Sequence, residues 1–254
     1  MMKFMCIVTV LFLLPFSGWS GTFLETFDGR GLEAWQELIQ LKEAPGSWEI
    51  VNDELHAISP DPAMRLLTTG DETWENYTIE FDVKPLKKHG IGAIVIAARV
   101  NGTWVVSCRV ADPVVLVDGE ARPGERIDCN YGNFHDVIFV LLHTEPHPLL
   151  RLNKWAHLKL SVQGNIVTFW INEKQIMEPT KFLVPKGAQH EKVNFDEWPD
   201  FLTGGVGFGL SNYTARFDNI TVTGDSIPNS GGFAVTPHGK LTTTWSNLKL
   251  TAGR

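Results

Sequence analysis

Polar and apolar residues alternate along most of the chain between Thr22 and Gly224. Tyr77, Ile79, Phe81 and Val83 are apolar, while Thr78, Glu80, Asp82 and Lys84 between them are polar. Val167, Phe169 and Ile171 alternate in the same way with Thr168, Trp170 and Asn172. Successive side chains of a strand point to opposite faces, so a period of two marks strands with one buried face. Turn signals such as Asn52-Asp53, Gln163-Gly164-Asn165 and Asn172-Glu173 separate the runs. The spacing predicts strands over 23–27, 47–51, 54–58, 63–67, 77–84, 91–99, 103–110, 137–142, 156–162, 165–171, 174–178, 205–211 and 214–223. Helix is scarce, with room for a turn or two over Gly31–Leu41. Many short strands with little helix between them predict an all-β, antiparallel sandwich or barrel rather than a βαβ fold.

Two stretches interrupt the rhythm. Residues 111–155 carry Asp, Gly, Pro and three histidines, and residues 179–204 carry Pro179, Pro185 and Pro199. Both read as long excursions between strands, a kind of segment that is often functional or else a linker. After Asp225 the composition shifts to Ser, Pro, Asn and Gly, which marks a domain edge followed by a tail over 226–254.

Residues 1–20 read as a signal peptide. Lys3 gives a positive start, Ile7–Phe16 is a short apolar stretch, and Gly18-Trp19-Ser20 offers small residues before a cleavage point at Gly21. An uncleaved membrane anchor is the alternative. No later segment is long and apolar enough to span a bilayer. The expected product is a secreted chain, extracellular or periplasmic, with one domain over 21–225.

The chain of 254 residues has a formal charge of −7, and loss of Lys3 with the leader makes the remainder more acidic. That balance argues against nucleic acid or an anionic membrane surface as partner. Cys108 and Cys129 are the two cysteines left beyond the leader. In an oxidising compartment they either form one disulfide or stay as separate buried thiols.

The segments FLETFDGRGLEAW, GSWEIVNDELHA, WENYTIEFDVKP, GIGAIVIAARVNGTWVVSCRV, KWAHLKLSVQGNIVTFWINEKQI and GGVGFGLSNYTARFDNITVTG occur in that order over residues 22–224. Together they resemble the concanavalin A-like lectin/glucanase superfamily, a jelly-roll group that includes laminin-G-like domains, family 16 glycoside hydrolases and the 3-keto-disaccharide hydrolase domain. The resemblance implies a two-sheet jelly-roll whose chain ends meet, and a function in carbohydrate contact. It also implies a Ca²⁺ site joining the ends, at positions matched here by Glu25, Asp28, Gly29 and Asp218. Family 16 enzymes place two catalytic carboxylates in an E-x-D-x-x-E strand; Glu80-Phe81-Asp82 supplies the first half, but Pro85 stands where the second glutamate belongs. That departure argues against retaining hydrolysis, and no catalytic set can be matched to the 3-keto-disaccharide hydrolase domain.

If the strands over 77–84, 91–99 and 103–110 are neighbours, Glu80, Asp82, Arg99 and Arg109 project from one face. Carboxylates and guanidinium groups suit sugar hydroxyls, with Trp104 or Trp170 as a stacking surface. A plain solvated strand face has the same composition. His135, His143 and His147 lie near Asp136 and Glu145, but Pro146 removes the helix that would align His143 with His147. Four Asn-x-Thr triplets, at Asn76, Asn101, Asn212 and Asn219, read as incidental.

The sequence thus predicts a secreted, non-catalytic carbohydrate-binding or adhesion module. The alternatives are a glycoside hydrolase acting on a modified (3-keto) disaccharide, and a structural surface protein whose tail serves attachment.

Overall fold

A computed structural model describes residues 21–28, 31–117, 120–190 and 193–228; the predicted leader and nearly all of the predicted tail lie outside them. The strands are β1 (Gly21–Glu25), β2 (Gln36–Ile39), β3 (Ser47–Val51), β4 (Glu54–Ser59), β5 (Arg65–Thr69), β6 (Tyr77–Asn101), β7 (Trp104–Ala111), β8 (Val114–Val117), β9 (Glu120–Pro123), β10 (Arg126–Asn133), β11 (Ile138–Pro146), β12 (Ala156–Gln163), β13 (Ile166–Ile171), β14 (Lys174–Lys181), β15 (Gln189–His190), β16 (Val193–Asn194) and β17 (Gly205–Gly224). Among the described residues, helix is confined to 3₁₀ turns at Gln40–Lys42 and Phe195–Glu197.

Thirteen strands form one continuous antiparallel sheet folded into two layers. The long strands β6 and β17 run through both. In the first layer, residues 77–85 of β6 lie between β12 and residues 215–224 of β17, and β13 and β14 follow β12. Along its other edge β17 pairs with β1 and β4, and Gly21 stands opposite Gly224, so the domain's two ends meet. In the second layer, residues 93–101 of β6 lie between β7 and residues 205–211 of β17; β10 and β11 extend that layer on one side, β5 and β2 on the other.

The corner between layers has a steric cause. A Cβ at Gly92 would lie 2.1 Å from the Ser211 carbonyl oxygen, so the two strands cross there only without a side chain. Opposite it, Asn212 takes a left-handed backbone (φ 53°) and its side-chain amide donates to the Ile91 carbonyl.

The alternation read in the sequence builds the core. Tyr77, Ile79, Phe81 and Val83 are fully buried between the layers. Phe81 and Phe217 from the first layer meet Phe208 from the second at ring-centroid separations of 5.4 and 4.8 Å. Burying one such ring contributes about 1.5–3 kcal/mol.

Three expectations are corrected. The strands over 77–84 and 91–99 are halves of one bent strand, as are those over 205–211 and 214–223. Gly31–Leu41 yields β2 and a 3₁₀ turn rather than helical turns. Trp35 packs edge-on against Phe208 and β2 hydrogen-bonds to β5, which an α-helix there would forfeit. Residues 111–155 are largely sheet, because Ile127, Cys129 and Tyr131 alternate inward along β10.

Candidate functional site

The face of the second layer turned away from the core carries polar chemistry on one side. Reading straight across that face, Leu38, Leu66, Gly209, Val95, Arg109, Asp128 and Thr144 form one row on seven adjacent strands. The neighbouring row contains Ala97, Ser107 and Asn130. The half on β5, β6 and β17 is apolar or small, whereas the half on β7, β10 and β11 is polar.

The apolar half is covered by the sheet itself. β2 and the turn after β10 belong to opposite edges, yet the Leu41 N–H donates to the His135 carbonyl at 3.0 Å. The layer therefore curls over this face. Phe134 joins Met64, Leu66, Ala93, Val95, Ala97, Val105 and Ala111 in one buried cluster. The polar half stays open as a cleft of about 310 Å³, lined by Arg109, Arg126, Asp128 and Asn130 with Pro113, Phe139 and Leu141.

Asp128 organises this cleft. Its Oδ2 accepts from Arg109 Nη2 at 3.1 Å, and its Oδ1 accepts from Arg126 Nε at 2.9 Å and from Thr144 Oγ1 at 2.8 Å. A carboxylate buried to this degree is stable only with such partners. One carboxylate faces two guanidinium groups, so the trio carries a formal excess of positive charge. The buried Nε–H of Arg109 has no hydrogen-bond partner among the described residues. Ser107 Oγ donates to Asn130 Oδ1 at 3.0 Å, which leaves the Asn130 NH₂ as a donor.

The six residues predicted to bind ligand separate into three places. Glu80, Asp82 and Trp170 do share a face, the outer one of the first layer. There Asp82 Oδ1 pairs with His157 Nδ1 at 2.9 Å and its Oδ2 accepts from Asn219 Nδ2 at 2.8 Å. Glu80 Oε2 lies 3.8 Å from His157 Nε2 and 3.5 Å from Lys159 Nζ, and the Lys159 ammonium sits 5.6 Å from the Trp170 ring centroid. The bond from His157 holds Asp82 below the ordinary carboxylate range, and the same bond raises His157 above its ordinary value, against the opposing effect of burial. Arg109 is in the other layer, at the cleft. Arg99 and Trp104 belong to neither surface.

Arg99 is fully buried, donating from Nη1 to the Trp74 carbonyl at 3.2 Å and from its backbone N–H to Tyr77 Oη at 2.7 Å. The expectation of one shared face fails because β6 bends between layers and bulges after Ala98, which turns the Arg99 side chain inward. Trp104 packs against Trp198 and Phe201 at 5.1 and 5.9 Å and closes the core.

The histidines do not converge. His135 and His147 flank opposite ends of β11, His135 pairing with Asp136 and His147 Nδ1 bonding the Pro148 carbonyl, while His143 lies 3.4 Å from Glu145. Cys108 and Cys129 form a disulfide across directly opposed positions of β7 and β10, with Cα atoms 4.0 Å apart. Of the residues expected to hold Ca²⁺, Gly29 lies outside the described residues. Glu25 Oε1 accepts from the Phe27 N–H and Asp218 Oδ1 from the Asn219 N–H, both at 2.8 Å; Asp28 is exposed. Among the described residues no three His, Cys, Asp or Glu side chains gather closely enough to hold a metal ion.

Asp128, Arg126, Asn130 and His157 were not singled out in the sequence. The signal for the first three was Arg126-Ile127-Asp128-Cys129-Asn130-Tyr131, an alternating run inside the stretch taken for a loop.

The fold and the site can be set beside known proteins. No curated protein matches the chain in sequence. In structure it is similar to the carbohydrate binding module CBM66 from Bacillus subtilis (TM-score 0.51, 16% identity, covering 74% of this chain and 94% of that one). It is also similar to a Bacillus subtilis protein of unknown function with a galectin-like fold (TM-score 0.52, 13% identity, 80% and 96%). A third similar structure is the CBM2 module of the evolved Dit from Lactobacillus casei BL23 phage J-1 (TM-score 0.51, 9% identity, 80% and 95%). At these identities the likeness establishes the jelly-roll fold alone. The profile of the 3-keto-alpha-glucoside-1,2-lyase-like domain matches residues 22–223, the two-layer unit from β1 to the end of β17. The chain therefore belongs to the 3-keto-alpha-glucoside-1,2-lyase-like domain family.

Proposed function

We propose that the chain binds carbohydrate in the cleft around Arg109, Asp128 and Arg126, and does not turn it over there. The observation that carries this reading is that the carboxylate of Asp128 is committed to two guanidinium groups and a hydroxyl. Its two oxygens already accept from Arg109, Arg126 and Thr144, and among the described residues it is the one carboxylate lining the cleft. Glycoside hydrolysis by paired carboxylates needs a second acid about 5–10 Å away, and a proton acceptor with a free lone pair. The cleft instead presents donors, the Arg109 guanidinium and the Asn130 NH₂, which can donate to sugar oxygens. Phe139, Leu141 and Pro113 offer apolar surface to the ring's C–H face. Similarity of fold to a carbohydrate-binding module supports the reading.

A second reading, a hydrolase or lyase acting on a modified disaccharide, is favoured by the Asp82–His157 pair. Asp82 orients the imidazole through Nδ1, which turns Nε2 toward Glu80 and solvent. That is the arrangement of an oriented general base.

The two readings separate on a glycan array probed with the full chain and with Arg109→Ala, followed by analysis of the bound glycans for cleavage. Binding that weakens about tenfold or more in Arg109→Ala, with glycans recovered intact, supports the first reading. Cleavage that survives Arg109→Ala and is lost in His157→Asn supports the second.

A further inference from the structure

The loop from His147 to Trp155 frames another cleft, of about 490 Å³, where β11 of the second layer crosses to β12 of the first. Its floor is apolar: Ala156 and Ile171 belong to the core and Ile176 packs on it. Its rim is cationic, with Arg151, Lys154 and Lys174. No ion pair neutralises any of the three among the described residues. Trp155 stands on the same rim, 42% exposed, with the Lys84 ammonium 5.8 Å from its ring centroid. Three cations on the cleft's rim and a fourth against its indole are a local excess of positive charge in a chain of net charge −7. The loop is held in place rather than loosely draped. The Asn153 N–H donates to the Pro85 carbonyl at 2.7 Å, the Leu149 N–H to Glu125 Oε2 at 3.3 Å, and Leu149 and Leu150 pack on the core.

We infer that this cleft is a second ligand site, taking an acidic oligosaccharide whose rings carry uronate carboxylates or sulfate esters. The indole face suits the C–H face of a pyranose. The guanidinium and ammonium groups form charge-assisted hydrogen bonds with the anionic substituents. The choice of a sugar over an acidic peptide rests on the carbohydrate reading above.

Titration calorimetry of the full chain with four probes tests it: tetragalacturonate, a heparin-type sulfated tetrasaccharide, neutral maltotetraose and tetraglutamate. Each is repeated on Trp155→Ala, on the Arg151→Glu/Lys154→Glu pair and on Arg109→Ala. The expected result is binding of one or both acidic sugars at least about tenfold tighter than the neutral one, and which of the two binds identifies the anionic group. Trp155→Ala weakens it by about tenfold or more, the double charge reversal abolishes it, and Arg109→Ala leaves it unchanged. Acidic-sugar binding that is indifferent to both rim variants overturns the inference, as does equally tight binding of tetraglutamate or binding of neither acidic sugar. Neutral-glycan binding lost in Arg109→Ala alone leaves the proposed function standing while this site fails. Acidic-sugar binding lost in Trp155→Ala, with no binding dependent on Arg109, does the reverse.

Discussion

Asp128 on β10 stands directly opposite Arg109 on β7, and the guanidinium donates to its Oδ2 at 3.1 Å. With Arg126 on the other oxygen, this carboxylate holds two cations on the polar half of that sheet face. Replacing it with asparagine keeps the shape and removes the charge. Asp128→Asn therefore leaves two guanidinium groups facing each other. Allowing for the partial exposure of both arginines, the expected loss is about 1–3 kcal/mol. Urea unfolding followed by tryptophan fluorescence checks it, and glycan binding at the cleft should fall in the same variant.

The Tyr77 hydroxyl ties Arg99 to the chain's other long strand. It accepts from the Arg99 N–H at 2.7 Å and lies 2.7 Å from the Gly205 carbonyl oxygen, to which it donates. Burial drives its pKa far above the ordinary tyrosine value, so it stays protonated throughout the working range. Tyr77→Phe orphans a buried N–H and a buried carbonyl at once, at an expected cost of about 1–3 kcal/mol. Calorimetric melting of the variant gives the answer.

The Asp82–His157 pair makes stability depend on pH with a defined sign. His157 is raised above 6.5, so its contribution is complete below that value and is lost as pH rises through the folded-state pKa. Asp82 is lowered below 3.8, so its contribution is complete above that value and is lost as pH falls through the folded-state pKa. Both are present together between about pH 4 and 6.5. Since both side chains are about a third exposed, the screened contribution is on the order of 1 kcal/mol or less. His157→Asn should therefore be less stable than the parent near pH 5.5, and the gap should close by about pH 9.

The disulfide joins neighbouring strands of the second layer, between cysteines 21 residues apart in sequence. Replacing both cysteines with alanine releases that loop in the unfolded chain and should lower stability by about 3 kcal/mol. Comparing urea midpoints of the parent and the double variant measures the loss. Because β10 carries Asp128 beside Cys129, glycan affinity should also fall as the ladder loosens.

The alternation of Tyr77, Ile79, Phe81 and Val83 was enough to place a strand with its core face, because a period of two has one structural meaning over that length. The bend of β6 was not legible. Nothing local distinguishes a strand that crosses between layers from two separate strands, and so Arg99 was assigned to a surface when it is buried against Tyr77. Asp128 was hidden for another reason. Its run has Asp, Asn and Arg between inward residues, and one of those inward residues is Cys129, which reads as apolar only once its partner Cys108 is known to face it. His157 escaped notice because its meaning comes from Asp82, which lies 75 residues away in sequence and directly across the ladder. Glu80, Asp82 and Trp170 share a face because alternation along β6 and β13 and the register through Lys159 put them there, whereas the expected companions Arg99 and Arg109 lie elsewhere.

The most direct test of carbohydrate binding at the Arg109–Asp128 cleft is side-chain NMR of the full chain titrated with a glycan that the array identifies. The Arg109 Nε–H is buried without a partner among the described residues, and its guanidinium lines the cleft, so a sugar bound against that guanidinium should shift the Nε–H resonance. The account predicts saturable shifts of the Arg109 Nε–H and the Asn130 NH₂, with the Glu80, Asp82 and His157 region unmoved. Shifts centred on His157 with Arg109 unchanged would contradict it.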